Sequence, residues 1–304
     1  MTREIKSRVT HCSADRPVIC LSLAEPNRKG SLPHLANHSS DDRMLACQYT
    51  TVNCPLPQPD SIMTDAADPF FEAYHRDDIA YGETPAPGVQ SIIDLSMSAE
   101  GRGFKALDLG AGAGRDSIAL ARAGYAVTAV DLSEMGLERI NQRATAAGVG
   151  ERVTTQAADV RKFDFETEKY DAIIATTVLD HIPATDAVVV WQKILSSLTA
   201  HGLLAVEVHS SEDPGSDLPP GCNSTAPKSE TSGAVVNYFP PNQLAQWATE
   251  TSADIRILRY EERLEWDYTH GPEHMHGKAS LLAIRKGNSP EWYGQPRLFP
   301  RRES

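Results

Sequence analysis

Residues 104–132, FKALDLGAGAGRDSIALARAGYAVTAVDL, constrain the fold more than any other stretch of this chain. A short apolar run, residues 105–109, carries an acid at Asp108 and breaks into Gly110-Ala111-Gly112-Ala113-Gly114. A helical stretch follows, with Ile118, Leu120 and Ala121 as its apolar positions and Gly124 as its stop. A second apolar run, residues 126–130, ends on Asp131. Strand, glycine turn, helix, strand and acid, in that order, form the first unit of a nucleotide-binding parallel sheet.

The glycines allow a reversal at positive φ and a close approach of backbone to ligand. The helix start offers free N–H groups to the ligand's polar end. Asp131, 21 residues after Gly110, stands where a carboxylate accepts hydrogen bonds from ribose hydroxyls. A dinucleotide site expects G-x-G-x-x-G, whose third glycine lets the helix pack near the pyrophosphate. Here the spacing is G-x-G-x-G, and Arg115 holds the sixth position. A nicotinamide-dependent oxidoreductase is the alternative that this pattern leaves open.

Alternation continues downstream. Ser133 is placed to cap a helix whose apolar positions Leu137, Ile140, Ala144 and Ala147 recur at spacings of three and four. Strands are expected at 153–157, 170–175 and 203–208, with a helix around Trp191, Ile194, Leu195 and Leu198. Residues 209–238 are rich in Ser, Pro and Gly and lack a period, which predicts a lid or a disordered loop. A helix beginning near Pro240 precedes two closing strands, 254–260 and 278–284, joined by a polar, His-rich hairpin. Ahead of the glycine unit, helical pieces are expected at 69–81 and 89–97.

Residues 1–66 differ: seven basic and seven acidic residues, six prolines and no persistent period predict a disordered extension. The domain is expected over 67–287 and a tail over 288–304, and translation from Met63 would leave a plausible complete enzyme. Cys12, Cys20, Cys47 and Cys54 are too irregularly spaced for a zinc site. No secretory leader or membrane-length apolar run is present, so a cytoplasmic protein is expected. The net charge of −12 comes from 29 basic and 41 acidic residues without a basic cluster. That argues against a nucleic-acid partner and for a small-molecule substrate.

Asp108 two residues before the first glycine completes D-x-G-x-G-x-G, which resembles motif I of the class I S-adenosylmethionine (SAM) methyltransferases. LDLGAGAGRDSIALARAGYAVTAVDLS, FPPNQL and the polar hairpin followed by LLAIRK are similar to the tellurite-resistance type of that superfamily. The resemblance implies an α/β fold: a seven-stranded, mostly parallel Rossmann-like sheet, helices on both faces and an antiparallel last strand. It implies SAM as cofactor, with Asp108, Gly110, Gly112 and Gly114 around the methionine part. Asp131 then takes the ribose, Leu132 lies beside the adenine, Asp159 with Val160 takes the adenine amino group, and Thr176 closes the pocket. A SAM-binding regulatory module without transfer activity is a further alternative.

Methyl transfer from a sulfonium needs an aligned nucleophile, and a base only where that nucleophile arrives protonated. His181, just past the fourth strand, and His209, just past the fifth, are the candidate catalytic residues. Tyr74, Tyr81, Arg263, His270 and His274 are candidate substrate residues. The H-x3-H-x-H spacing of His270, His274 and His276 is read as solvated or substrate-facing histidines, and no metal site is assigned.

Overall fold

The computed structural model describes residues 82–96, 103–216, 226–229, 231–250, 254–269 and 271–285. The expected extension, the helical piece at 69–81, the tail, Tyr74, Tyr81 and His270 lie outside the described residues.

Helix α1 (Pro87–Ser96) precedes strand β1 (Lys105–Leu109), helix α2 (Arg115–Arg122) and strand β2 (Ala126–Asp131). Helix α3 (Glu134–Ala146), strands β3 (Val153–Ala157) and β4 (Tyr170–Thr176), helix α4 (Ala184–Ser197) and strand β5 (Leu198–His209) follow. Helix α5 (Gln243–Glu250) leads to the closing strands β6 (Ile255–Asp267) and β7 (His274–Arg285). The seven strands form one sheet in the order β3-β2-β1-β4-β5-β7-β6. The first five pair in parallel, and β7 runs antiparallel to both β5 and β6. The order reverses between β1 and β4, and at such a switch an open α/β sheet leaves a crevice beyond the carboxyl ends of its strands.

Both faces are covered, which is why the central strands read as continuous apolar runs. On one face Leu107, Leu109, Ile173, Ala175, Leu204 and Val206 pack with Trp191 and Ile194 of α4 and Leu244 of α5. On the other, Ala106, Val127, Ala172, Ile174, Ala205, Leu282 and Ile284 pack with Val89 and Ile92 of α1 and Leu120 of α2. Ser133 caps α3 by accepting from the Gly136 amide, as its position predicts. Among the described residues no helix is long and apolar enough to cross a membrane.

The closing strands depart from expectation. β6 runs on to Asp267 and β7 starts at His274, so the His-rich segment is ladder rather than connection. His274 and His276 are accordingly buried, at 1% and 5% exposure, and not solvated. Side chains alternate along a strand, so His274, His276, Lys278 and Ser280 share the face that Leu282 and Ile284 present to α1. Register brings Glu207 opposite Ser280 and His209 opposite Lys278 on that face. The face is apolar under α1 and α2 and becomes polar where β4, β5 and the start of β7 emerge.

Candidate functional site

The crevice has two ends. At the first, β1 runs into the glycine turn, where Gly110, Gly112 and Gly114 all have positive φ (65°, 52° and 82°). A Cβ on Gly110 would lie 2.4 Å from a methyl of Val178, so an alanine there meets both backbone strain and collision. The turn is braced internally, with the Ala111 amide donating to the Val130 carbonyl and the Gly114 amide to that of Ala111. Gly136, in the first turn of α3, is a residue that sequence reasoning missed. A Cβ there would sit 2.7 Å from the Gly112 carbonyl oxygen, so α3 approaches the turn as closely as it does because position 136 is glycine.

Three carboxylates surround this turn. Asp131, at the tip of β2, accepts from the Gly112 amide at 2.8 Å through one oxygen and from the Ser133 amide at 2.8 Å through the other. It therefore sets the loop's shape. Asp108 is buried and accepts from the Ser117 hydroxyl at 2.5 Å. Burial and then the Asp116 charge push its carboxyl up to about 7, against the pull of Ser117 and Arg115. Asp116, also buried and not singled out from the sequence, accepts from the Ala86 amide at 2.8 Å, from the Thr176 hydroxyl at 3.3 Å and from Arg115. It ties the glycine turn to the start of α1 and to the end of β4. A lone acid after G-x-G-x-G-R carries no signal in sequence that it would bridge those elements.

The other sequence-predicted cofactor residues line up beyond β2 and β3. Leu132 is 67% exposed, an apolar side chain open to solvent just beyond β2. Asp159 grips Arg161 through both its oxygens, which holds its carboxyl below the usual range. Val160 is buried and belongs to the core beneath.

At the second end, Asp180 is fully buried and organises two histidines. His181 Nδ1 lies 3.2 Å from one of its oxygens, and the His209 backbone amide and Nδ1 both meet the other. Burial raises the Asp180 pKa, but the histidine charges and hydrogen bonds outweigh it and hold the carboxyl well below 3.8. Its backbone carbonyl accepts from the amides of Val236 and Asn237, so the chain returning from the long loop pins it in place. His209 Nε2 meets the Lys278 ammonium at 2.9 Å, and burial together with that charge lowers its pKa. The more accessible ring of the two is His181, whose side chain is 17% exposed against 9% for His209.

Further along β7, His276 Nδ1 lies 3.1 Å from Asp213 and its Nε2 lies 3.1 Å from His274 Nε2. Arg263 lines the space beside Thr176 and α1, with its guanidinium held by Glu207 at 2.9 Å, Glu265 at 2.7 Å and the Ser280 hydroxyl at 2.7 Å. It is charge-compensated by two carboxylates. Asp180, Asp213, Glu207 and Lys278 were missed because strands remote in sequence bring them together.

Fold and glycine-turn site together resemble those of methyltransferase domains. Residues 106–202 match the family model described as a methyltransferase domain. Methyltransferase GfsG of Streptomyces halstedii is 28% identical over 155 residues, covering 47% of this chain and 54% of that protein. The 27-O-demethylrifamycin SV methyltransferase of Amycolatopsis mediterranei is 35% identical over 82 residues, 27% of this chain and 30% of that protein. The chain thus spans about half or less of the curated relatives it matches. Among solved structures, TehB from Haemophilus influenzae superposes with a TM-score of 0.50 at 22% identity, covering 64% of this chain and 62% of that one, and shares the fold.

Proposed function

We propose that this protein transfers a methyl group from SAM to an oxygen, nitrogen, sulfur or chalcogen atom of a small molecule in the cytoplasm, with no nucleic-acid partner. The observation that carries the reading is the charge at the glycine turn. Asp108, Asp116 and Asp131 gather at one loop with Arg115 as the cation among the charges acting on Asp108. A dinucleotide would bring two phosphate charges to these carboxylates and be repelled, which weighs against the oxidoreductase alternative. SAM brings an ammonium and a sulfonium, which favour the ionised form of Asp108 against the burial and the Asp116 charge that lift it.

Bound there, SAM supplies an electrophilic methyl on sulfur. The chain's own residues align the acceptor and take its proton. Asp180 holds the Nδ1 side of His181, which turns Nε2 toward the proton it removes as the acceptor's lone pair forms the new bond to the methyl carbon. Bound SAM would supply the sulfur that takes the C–S electron pair. His209, more buried and engaged by Lys278, holds the opposite oxygen of Asp180 and so positions the dyad. Arg263, already neutralised by Glu207 and Glu265, offers little to an oxyanion, so an uncharged acceptor fits better than tellurite or selenite.

The test is a side-by-side titration with SAM and NADH, followed by incubation with methyl-labelled SAM and cell extract. Micromolar SAM affinity, its loss in Asp131→Ala and a labelled small molecule are expected. Unchanged SAM affinity in that variant, or binding of NADH in preference, defeats the reading; SAM binding without a labelled product favours a regulatory module instead.

A further inference from the structure

The structure assigns a cation site to the paired histidines of β7: we infer that Asp267, His274 and His276 bind one borderline divalent ion of the Zn²⁺ class. This concerns ion binding alone and stands whether or not methyl transfer is the chain's activity.

The argument starts from which ring nitrogens carry hydrogen. His274 Nδ1 lies 2.7 Å from the Pro272 carbonyl oxygen, an atom that only accepts. That ring therefore carries a proton on Nδ1, and its metal-binding form presents a lone pair at Nε2. His276 Nδ1 faces Asp213 Oδ2 at 3.1 Å, and the same oxygen accepts the Gly277 amide at 3.0 Å. A carboxylate receiving one N–H and facing a second fixes the same tautomer for His276. The two Nε2 atoms then point at each other across 3.1 Å, both buried. Two lone pairs at that distance repel unless a cation or a shared proton lies between them.

Two nitrogens on a tetrahedral zinc, each about 2.0–2.1 Å from the metal, stand roughly 3.3 Å apart. The observed separation needs only a small opening to admit the ion. A third ligand is in register: Asp267 is cross-strand partner of His274, and its Oδ2 is 3.9 Å from His276 Nε2. The three ligand atoms all lie within 4.8 Å of one another. A carbonyl behind one imidazole and a carboxylate behind the other form the outer support that zinc-binding histidines use to fix tautomer and orientation. Asp267 is itself aimed by the Thr269 amide and hydroxyl, which donate to its other oxygen at 2.6 and 2.7 Å. Two His and one Asp leave a fourth position for water or a ligand, the pattern of open rather than structural zinc sites.

Two neighbouring groupings do not make the same case. In Asp180–His181–His209 both carboxylate oxygens face ring Nδ1 atoms, and the Lys278 ammonium stands 2.9 Å from His209 Nε2, where a metal would be repelled. In His209–Asp213–His276, His209 Nδ1 faces Asp180, its Nε2 faces the Lys278 ammonium at 2.9 Å, and His276 Nδ1 faces Asp213.

The experiment uses the full chain, stripped with chelator and equilibrated with Zn²⁺ or Co²⁺. One equivalent should bind, and the Co²⁺ form should show the intense visible bands of a four-coordinate nitrogen and oxygen site. His274→Gln and His276→Gln should each weaken binding by about 100-fold or more. Asp213→Asn, acting through His276, should weaken it about 10- to 100-fold. His201→Gln, on an exposed part of β5, should leave it unchanged. Should the histidine variants fail to fold, long-range ¹H–¹⁵N spectra of the unmodified chain decide: Zn²⁺ must shift the Nε2 signals of two histidines of one tautomer. Failure to retain an ion at micromolar Zn²⁺, a near-ultraviolet thiolate band marking cysteine ligation, or affinity indifferent to both substitutions overturns the assignment.

Discussion

The glycine-turn end and the histidine end of the crevice solve the same problem by opposite means. At the glycine end, contiguous sequence does the shaping: three positive-φ glycines and Asp131 fix a loop within one β-α-β unit. Its charge is an excess of carboxylate. At the histidine end, Asp180 comes after β4, His209 ends β5, Asp213 follows it, and His276 and Lys278 come from β7, each buried. Charge there is nearly balanced by pairing within the cluster. On the proposed reading the two ends divide the labour: the first receives positive charge, and the second holds and moves protons. If so, substitutions at one end should leave the other's property largely intact.

The largest effect is expected at Asp180. Asp180→Asn removes the charge that orients both His181 and His209, and one of the facing Nδ1–H groups then meets an amide donor. Turnover should fall about 10²- to 10³-fold, while the SAM dissociation constant changes less than about threefold. Equilibrium dialysis beside initial rates measures both, and a parallel collapse of SAM affinity would show that the two ends are one unit. Next comes the converse, Gly136→Ala. Its methyl group meets the Gly112 carbonyl, a backbone atom that yields only if the turn moves. SAM affinity should drop roughly 10- to 100-fold by the steric logic of overpacking, with the rate at saturating SAM within a few-fold of normal.

A smaller, pH-dependent effect is expected at Asp108. Its carboxyl is raised from 3.8 to about 7 in the folded chain. The folded state therefore holds a proton that the unfolded state releases between these values. The stability this confers is complete below about 3.8 and is lost as pH rises through 7. Asp108→Asn removes that dependence, so its melting temperature should exceed the parent's at pH 8 and converge with it as pH falls toward 4. SAM affinity should move the other way, weakened several-fold at pH 8 by loss of the negative charge. Melting curves that differ equally at both pH values would mean that Asp108 is not held near neutrality.

The same contrast explains what was readable in sequence. The alternation of strands and helices and the glycine turn follow from motif spacing and apolar pattern, which are local properties, whereas the seven-stranded sheet with its antiparallel last strand is what the family resemblance implies. Asp108, Asp131 and Thr176 were singled out by the resemblance to motif I and its following strands, and His181 and His209 because each follows the end of a parallel strand, where an α/β sheet exposes its ligands. His274 was legible as a residue but its surroundings were not. Polar alternation in a segment ending TH-GPEHMHGK reads as a solvated turn, and only pairing with β6 and β5 reveals that positions 274, 276 and 278 face inward. Asp116, Gly136 and Asp213 matter through single contacts to backbone or to residues distant in the chain, and neither composition nor period encodes such contacts.

The smallest effect should be at Asp159, and it sharpens the boundary of the first end. Its carboxylate is already held by Arg161 through Nε at 3.0 Å and Nη2 at 2.6 Å, and Arg161 is itself 44% exposed. An adenine amino group can reach only the lone pairs the guanidinium leaves, so the bond it gains is one neutral donor's share, about 1 kcal/mol. Asp159→Ala should therefore raise the SAM dissociation constant several-fold. Removing the exposed ion pair should change stability by no more than about 1 kcal/mol. The discriminating ligand is the 6-deaminated analogue of SAM, in which a carbonyl replaces the amino group. The parent chain should bind it several-fold less tightly than SAM, because an acceptor then faces the carboxylate. In Asp159→Ala the two ligands should bind alike, since the repelling oxygen is gone together with the attraction. Preserved discrimination in that variant would place the reading of the amino group elsewhere in the crevice and detach Asp159 from the cofactor end.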